Sequence, residues 1–146
     1  MSLGLKKRKH PMIKLSDIER KSLIDIASEA RRRAYAPYSN YQVGAALRTS
    51  SGRIYTGVNI ENAAYPASIC AERVALFKAV SDGETSFEVM AVVTSNGGTP
   101  CGSCRQVLSE FGLDTLVLIV DGDGKLVKEA TVEELLPGAF RPDDLQ

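Results

Sequence analysis

Residues 70–111 read CAERVALFKAVSDGETSFEVMAVVTSNGGTPCGSCRQVLSEF, and this stretch decides the fold. Its first part predicts a helix that begins near Cys70 and ends before Gly83, with a buried face formed by Val74, Phe77 and Val80. The short apolar run at 88–94 predicts a buried strand. A second helix is predicted over 101–111, directly after a proline. The order helix, strand, helix is typical of a layered α/β domain.

Upstream of this stretch, the pattern predicts one helix and one hairpin. Ser16 and Glu19 have the spacing of a capping box, with Leu15 before the cap. Apolar residues then recur at helical spacing as far as Tyr35: Ile18, Ile26, Ala27, Ala30 and Ala34. Segments 41–49 and 53–58 suit strands, and the Ser-Ser-Gly turn between them predicts an antiparallel pair.

Downstream, a second strand pair and a short helix complete the domain. Residues 115–120 (TLVLIV) suit a buried strand, and the turn DGDG joins them to a strand at 125–129. So short a connection joins antiparallel neighbours. Thr131 and Glu134 form a second capping box. The expected fold is therefore α/β, a three-layer α-β-α domain with a mixed five-stranded sheet, over residues 15–146.

Composition limits the classes of function. The chain has 146 residues, 44% of them hydrophobic, and its formal net charge is zero, so no global field attracts a nucleic acid. The basic residues of segment 1–14 lack the apolar core of a signal peptide, and we expect a cytoplasmic protein. This segment is expected to be a flexible tail, although a targeting or nucleic-acid role is the alternative.

The three cysteines predict a metal site. Three is an odd number, which excludes a complete disulfide framework. Cys101 and Cys104 have the C-x-x-C spacing of zinc ligands, and Cys70 supplies a third thiolate. Three protein ligands leave a fourth position open, as in catalytic zinc sites. A redox dithiol or buried apolar cysteines are the alternatives, but a dithiol would leave Cys70 without a role.

Glu72 and Arg73, which follow Cys70 closely in the chain, extend this site. Glu72 is close enough to face a metal-activated water without binding the metal, and it could carry protons there; the alternative is a glutamate that only favours the helix dipole. Arg73, three residues after Cys70, could reach back to the sulfur and offset the negative charge of three thiolates. Alternatively, Arg73 is an ordinary solvated helix residue. His10, the single histidine, lies in the tail and is a poor ligand candidate.

Five segments together resemble the tetrameric, zinc-dependent cytidine deaminases: CAERVALFKAV, PCGSCRQVLSEF, YSNYQVGAAL, NIENAAY and ELLPGAF. The similarity extends from about Ile18 to Leu145. It implies one Zn²⁺ per chain and hydrolytic deamination of cytidine and 2'-deoxycytidine to uridine and 2'-deoxyuridine, with release of ammonia, as in pyrimidine salvage. In such enzymes hydroxide generated at the zinc attacks C4, which assigns proton transfer to Glu72.

The resemblance also implies substrate contacts. Asn59 and Glu61 would bind the ribose hydroxyls, Tyr41 would stack on the pyrimidine, and Ala71 belongs with these contacts. Phe140 is similar to an aromatic residue that enters a neighbouring subunit's site in a homotetramer. The sequence departs from the family at Tyr41, where phenylalanine is usual, and at Gln42, where proline is usual.

Two other functions compete with this interpretation. A related deaminase could act on a modified nucleoside such as blasticidin S, or on a base within nucleic acid. A zinc-stabilised binding module without activity belongs to a different class. Glu72 and the open coordination position argue against the inert module. The neutral charge and the lack of a basic, aromatic-lined groove favour a free nucleoside over a polynucleotide or a membrane partner.

Overall fold

The described part of the chain in this computed structural model covers residues 13–146. Its α-helices are α1 (Asp17–Arg31), α2 (Ala71–Ser81), α3 (Gly102–Phe111) and α4 (Val132–Leu135). Its strands are β1 (Gly44–Thr49), β2 (Ile54–Val58), β3 (Phe87–Val93), β4 (Leu116–Val120) and β5 (Leu126–Thr131). Two short 3₁₀ helices lie at Tyr65–Ala67 and Pro142–Leu145. Residues 1–12 of the predicted tail, including His10, lie outside the described part of the chain.

The strands form one mixed sheet in the order β2-β1-β3-β4-β5. Strands β3 and β4 are parallel, and every other neighbouring pair is antiparallel. The Asp121 carboxylate accepts hydrogen bonds from the backbone N–H groups of Asp123 (2.9 Å) and Lys125 (3.0 Å), which fixes the turn between β4 and β5. The predicted five-stranded mixed sheet and its two antiparallel hairpins are confirmed.

Helices cover both faces of this sheet, because the inner strands are apolar on both sides. Helix α1 packs on one face through Leu23, Ile24 and Ala27, against Ala46, Val89, Ala91 and Leu118. Helices α2 and α3 pack on the other face, where the core includes Ala75, Leu76, Leu108, Leu47, Met90 and Ile119. The predicted three-layer α-β-α arrangement is therefore confirmed. Within residues 13–146, no helix combines the length and the apolar character needed to cross a membrane.

The capping box of α1 forms as predicted, but the helix ends four residues early. Ser16 accepts from the backbone of Glu19, whose carboxylate accepts from the Ser16 N–H in return. The predicted end at Tyr35 is wrong, because the backbone of Tyr35 bonds instead to Asn59 and Glu61, at 3.0 and 2.8 Å. Ile18, which we expected on the apolar face, is 82% exposed. The early end of α1 brings the chain after it beside segment 59–61.

The predicted buried face of α2 is wrong. Phe77 is 46% exposed and Val74 and Val80 are half-buried, whereas the buried residues are Ala71, Glu72, Ala75, Leu76 and Ala79. The small residues face the sheet because α2 lies unusually close to β2. A side-chain carbon on Gly57 would lie only 2.1 Å from the carbonyl oxygen of Ala71. Close packing at Gly57 therefore fixes the start of α2 and brings Ala71 and Ala75 against β2, while Phe77 is left facing outward.

Candidate active site

Three cysteine sulfurs converge where α2 and α3 begin. Cys70 is the N-cap of α2, Cys101 is the N-cap of α3, and Cys104 lies in the first turn of α3. The Sγ atoms of Cys70 and Cys101 are 3.7 Å apart, and those of Cys101 and Cys104 are 3.6 Å apart. All three sulfurs lie within 4.8 Å of one another, and none is in a disulfide. This triangle of thiols is small enough for one ion to contact every sulfur.

The surroundings of Cys70 favour its thiolate form. The side chain of Cys104 hydrogen-bonds to it, and together with Arg73 this lowers the pKa of Cys70 to about 5, against the opposing effect of burial. The Nη2 atom of Arg73 lies 3.5 Å from the Cys70 sulfur. The N-terminus of α2 also places a positive helix-dipole end at this sulfur. Because thiolates bind metals and thiols do not, this environment suits a metal ligand.

Glu72 stands beside the thiols in the first turn of α2. Its side chain is buried, with 5% of the residue exposed. Burial raises the pKa of its carboxyl group to about 7, and the negative charge of Cys70 acts in the same direction. A carboxyl group with a pKa near neutrality can both accept and release a proton under physiological conditions. Glu72 therefore has the position and the acidity of a proton carrier.

Arg73, the residue after Glu72, also contacts the cluster. Its guanidinium donates toward Cys70, and this hydrogen bond raises the pKa of Arg73 above its ordinary value, so the group stays charged. Its Nε atom is buried and has no hydrogen-bond partner among residues 13–146. The cation is thus held at the thiols, where it offsets part of the negative charge that three thiolates would carry.

An open cavity of about 320 Å³ connects this cluster to the surface. Six of the sequence-predicted site residues line it: Tyr41, Asn59, Glu61, Cys70, Glu72 and Cys101. Its remaining lining consists of Ser39, Val43, Ser68, Ile69, Thr94, Gly98 and Thr99. The cavity is therefore mixed in character, with two carboxyl groups, two thiols, one amide and several hydroxyl groups beside the apolar side chains of Val43 and Ile69.

Asn59 and Glu61 are already engaged with the backbone on one side of the cavity. Asn59 donates from Nδ2 to the carbonyl of Tyr41 (2.7 Å) and accepts from the N–H of Val43 (2.9 Å). Glu61 accepts from the N–H groups of Tyr38 (2.9 Å) and Ser39 (3.1 Å) and from the Ser39 hydroxyl. The bonds from Ser39 lower the pKa of Glu61. Each side chain keeps spare hydrogen-bonding capacity toward the cavity.

Two of the residues predicted to contact the substrate do not line this cavity within one chain. Phe140 does not line the cavity; its side chain is exposed, and its carbonyl accepts a hydrogen bond from Gln106 Nε2 (2.8 Å). Ala71, between Cys70 and Glu72, is fully buried, and its carbonyl oxygen lies close to Gly57 of β2. Within one chain the structure thus brings together the thiols, Glu72, Arg73, Tyr41, Asn59 and Glu61, and it leaves Phe140 outside.

A family model for the cytidine and deoxycytidylate deaminase zinc-binding region matches residues 18–120. The chain belongs to this deaminase family. A cytidine deaminase of Sporosarcina psychrophila is 49% identical over 131 residues, which cover 88% of this chain and 95% of the relative. The crystal structure of a cytidine deaminase from Burkholderia pseudomallei superposes with a TM-score of 0.79 at 41% identity, covering 86% of this chain and all of the other.

A deaminase with a different named substrate is also related. Blasticidin-S deaminase of Bacillus cereus is 36% identical over 125 residues, which cover 79% of this chain and 87% of the relative. Relatives of this chain are therefore named for more than one substrate. Substrate choice has to be argued from the cavity rather than from the fold.

The thiol cluster fits the zinc that this deaminase family binds. Three sulfur donors within 4.8 Å of one another suit a tetrahedral ion, and sulfur is a preferred zinc ligand. The chain carries a zinc-binding deaminase domain, and its cluster is positioned to hold one metal ion. An ion held by the three cysteines would keep one position for a ligand from outside the chain, and Cys70, Cys101 and Glu72 all line the cavity.

Sequence reasoning missed much of the deaminase cavity. Thr94, Gly98 and Thr99 form a wall of it, but the loop SNGGT carries no motif and suggested only a boundary before Pro100. Ser39 was also missed, although it bonds to Glu61. The one available signal was the position of the glycines, which precede Cys101 closely enough for the loop to share its site.

Proposed function

We propose that this protein hydrolyses cytidine and 2'-deoxycytidine to uridine and 2'-deoxyuridine, releasing ammonia. The observation that supports this proposal most strongly is the buried carboxyl group of Glu72 beside three converging thiols, two of which line the same open cavity as Glu72. Its relatives named as cytidine deaminases support the choice of nucleoside. The neutral net charge supports a free nucleoside rather than a polynucleotide, because it provides no field that would attract a polyanion. The direct antiparallel hairpin of β4 and β5, with no helix between the two strands, supports the same choice.

The reaction needs a nucleophile at C4 of the base and a carrier for protons. Cys70, Cys101 and Cys104 would hold the zinc, which supplies Lewis-acid chemistry that makes water nucleophilic near neutral pH. Glu72 accepts a proton from this water and delivers it to N3 of the pyrimidine. The water oxygen bonds to C4 as N3 is protonated. Glu72 then takes the second proton from the new C4 hydroxyl and delivers it to the amino group, whose bond to C4 breaks as ammonia leaves and the C4 carbonyl of uridine forms. Cytidine and water are thereby converted to uridine and ammonia.

Arg73 and the helix N-termini tune this site. Three thiolates on a divalent ion leave one net negative charge, which opposes acidification of water. The Arg73 guanidinium, whose Nη2 atom lies 3.5 Å from the Cys70 sulfur, offsets part of that negative charge. The first turns of α2 and α3 place positive dipole ends at Cys70 and Cys101. Arg73 is thus proposed to support the reaction without contacting the substrate.

Loss of the cytidine absorbance band on a small panel tests this function. The panel contains cytosine, cytidine, deoxycytidine, the monophosphate and blasticidin S, the last because of the related antibiotic deaminase. Cytidine and deoxycytidine are expected to react, and free cytosine, which has no sugar to bind, is expected to react very slowly. Turnover of blasticidin S alone would contradict the proposal, and efficient turnover of free cytosine would contradict a sugar-reading site.

Asn59→Ala and Glu61→Ala are each expected to raise KM for cytidine by about 5- to 100-fold, with zinc content unchanged. Each change leaves polar groups of loop 38–43 and a sugar hydroxyl without a partner. Steady-state kinetics and elemental analysis measure both effects. Asn62→Ala is the control, since Asn62 lies in the same segment but does not line the cavity. A KM within twofold of normal for Glu61→Ala would remove that contact.

We further propose that the enzyme is a cytoplasmic homotetramer. Its three free cysteines, an odd number, suit a reducing compartment. The outer face of α2 exposes Phe77 beside the half-buried Val74, and the two line a groove on the surface. Self-association would remove this apolar area from water, and closed symmetric assemblies are its common result. The exposed side chain of Phe140 is then free to enter a neighbouring subunit's cavity.

Activity is therefore expected to fall when the protein is diluted below the dissociation constant of the assembly. Phe140→Ala should raise KM without removing zinc. In the assembly the Phe140 side chain would complete a neighbouring subunit's cavity, and alanine is too short to do so. Light scattering and turnover, measured on the same fractions, test both statements. A fully active monomer would contradict a shared site. The control is Leu145→Ala, which shortens another exposed apolar residue of the same terminal segment.

A further inference from the structure

Tyr41 connects two walls of the cavity. Its backbone belongs to the wall built on Asn59 and Glu61: Tyr41 donates its N–H to the Ser39 hydroxyl (3.0 Å) and accepts from Asn59 Nδ2 (2.7 Å). Its ring lines the cavity, and its hydroxyl reaches the opposite wall, where it donates to Asn96 Oδ1 at 2.8 Å. A phenylalanine ring could not make this last bond.

The opposite wall is the loop at residues 94–99, which leads into the ligand Cys101. Thr94 donates from its hydroxyl to the same Asn96 oxygen (3.4 Å) and accepts from the N–H of Gly98 (2.8 Å). Asn96 itself bridges to Asp121 beyond the end of β4, so the loop is tied to the sheet. The Asn96 side-chain oxygen is thus the point where the Tyr41 hydroxyl joins this wall.

Gly98 leaves the space that the Tyr41 hydroxyl occupies. A side-chain carbon at Gly98 would lie 2.5 Å from that hydroxyl oxygen, which is well inside van der Waals contact. Its next neighbours, Asn96 Oδ1 and Thr94 Oγ1, would lie at 3.4 and 3.8 Å, which is ordinary contact. Gly98 has no positive φ, so its backbone could accommodate alanine. The added methyl group of Gly98→Ala would therefore act mainly by displacing the hydroxyl from Asn96.

We propose that the Tyr41 hydroxyl, Asn96 and Gly98 form a cross-cavity latch that fixes the distance between these two walls. Tyr41 and Asn96 are positioning residues, because they hold the sugar-side loop and the loop before Cys101 in the geometry that receives the nucleoside. Order established before binding lowers the cost of binding. Loss of the latch should therefore raise KM and leave kcat nearly unchanged. The substrate named here rests on the proposed function; the latch does not.

Three single variants break the same bond by different means: Tyr41→Phe, Asn96→Ala and Gly98→Ala. Each is expected to raise KM for cytidine by about 2- to 10-fold and to lower the apparent Tm by about 2 to 5 °C. The double variants Tyr41→Phe with Asn96→Ala, and Tyr41→Phe with Gly98→Ala, should be no worse than the worse single variant. Such non-additivity is the signature of one shared interaction.

Ser50→Ala is the control, because the Ser50 hydroxyl hydrogen-bonds to the Ser86 hydroxyl (2.7 Å) and Ser50 lines neither the cavity nor the surface groove beside α2. Its effect on Tm should add to that of Asn96→Ala, and its KM should be normal. Additive losses of Tm in both double variants of Tyr41 would overturn the latch, and this melting cycle needs no substrate. A normal KM in Tyr41→Phe would overturn its positioning role. Absence of cytidine turnover by the unmodified protein contradicts the proposed function and leaves the melting cycle decisive for the latch.

Discussion

Glu72→Gln is expected to lower kcat for cytidine by at least about 10²- to 10⁴-fold while zinc content and fold stay unchanged. An amide has nearly the same shape as a carboxyl group, but it cannot accept a proton from water and deliver it to the base. In the proposed reaction Glu72 transfers protons in more than one step, so the loss should reach or exceed the upper part of this range. Steady-state turnover and elemental analysis of the same preparation measure the effect.

Glu110→Gln is the control for that change. Glu110 lies on the exposed side of α3, one of the two helices that carry the thiols, and does not line the cavity. It is expected to have normal kcat and KM. Near-normal turnover in Glu72→Gln would remove Glu72 from the mechanism. Loss of zinc in that variant would instead mean that Glu72 helps to hold the metal.

Cys104→Ala is expected to lose both zinc and soluble yield. Cys104 is fully buried in the first turn of α3, where it would present one of three thiolates to the ion. With one ligand removed, the remaining sulfurs bind zinc weakly, and the energy that metal binding contributes to folding is lost. We expect the zinc content of purified protein to fall from one ion per chain to near zero, with a lower apparent Tm.

Ser103→Ala provides the comparison, because Ser103 lies between the two cysteines of the C-x-x-C segment and is exposed. It should retain one zinc and normal stability. Cys101→Ala should resemble Cys104→Ala, since both sulfurs belong to the same triangle. A Cys104→Ala protein that retains stoichiometric zinc and full turnover would contradict the proposed ligand set.

Local signals predicted the site better than they predicted the packing around it. The spacing of Cys101 and Cys104 on one helical turn and the position of Cys70 before a helix are short-range features, and the structure places all three sulfurs together. The caps are local as well: the capping box at Ser16 forms completely, and at Thr131 the hydroxyl accepts from the Glu134 N–H, although the Glu134 side chain makes no return bond. Such features depend on neighbours in the chain, which a sequence shows directly.

Features that depend on distant contacts were predicted poorly. The buried face of α2 is the one that carries Ala71, Ala75 and Leu76 instead of Phe77, because Gly57, on another element, lets the alanines of α2 approach the sheet. Helix α1 ends at Arg31 because Tyr35 bonds to segment 59–61, which is remote in sequence. The wall at 94–99 could not be assigned from its composition, since its role depends on the reach of Tyr41 across the cavity. In each case tertiary contact overrides local pattern.

The proposal that zinc held by the three thiols makes this chain a cytidine deaminase is tested by measuring how cytidine turnover depends on bound zinc. Protein depleted of metal with a chelator is titrated with zinc, and the initial rate of absorbance loss is measured with the metal content of each sample. We expect negligible turnover without metal and a rate that rises in proportion to bound zinc until each chain holds one ion. Full turnover of cytidine by the metal-free protein, or none by the fully loaded protein, would contradict it.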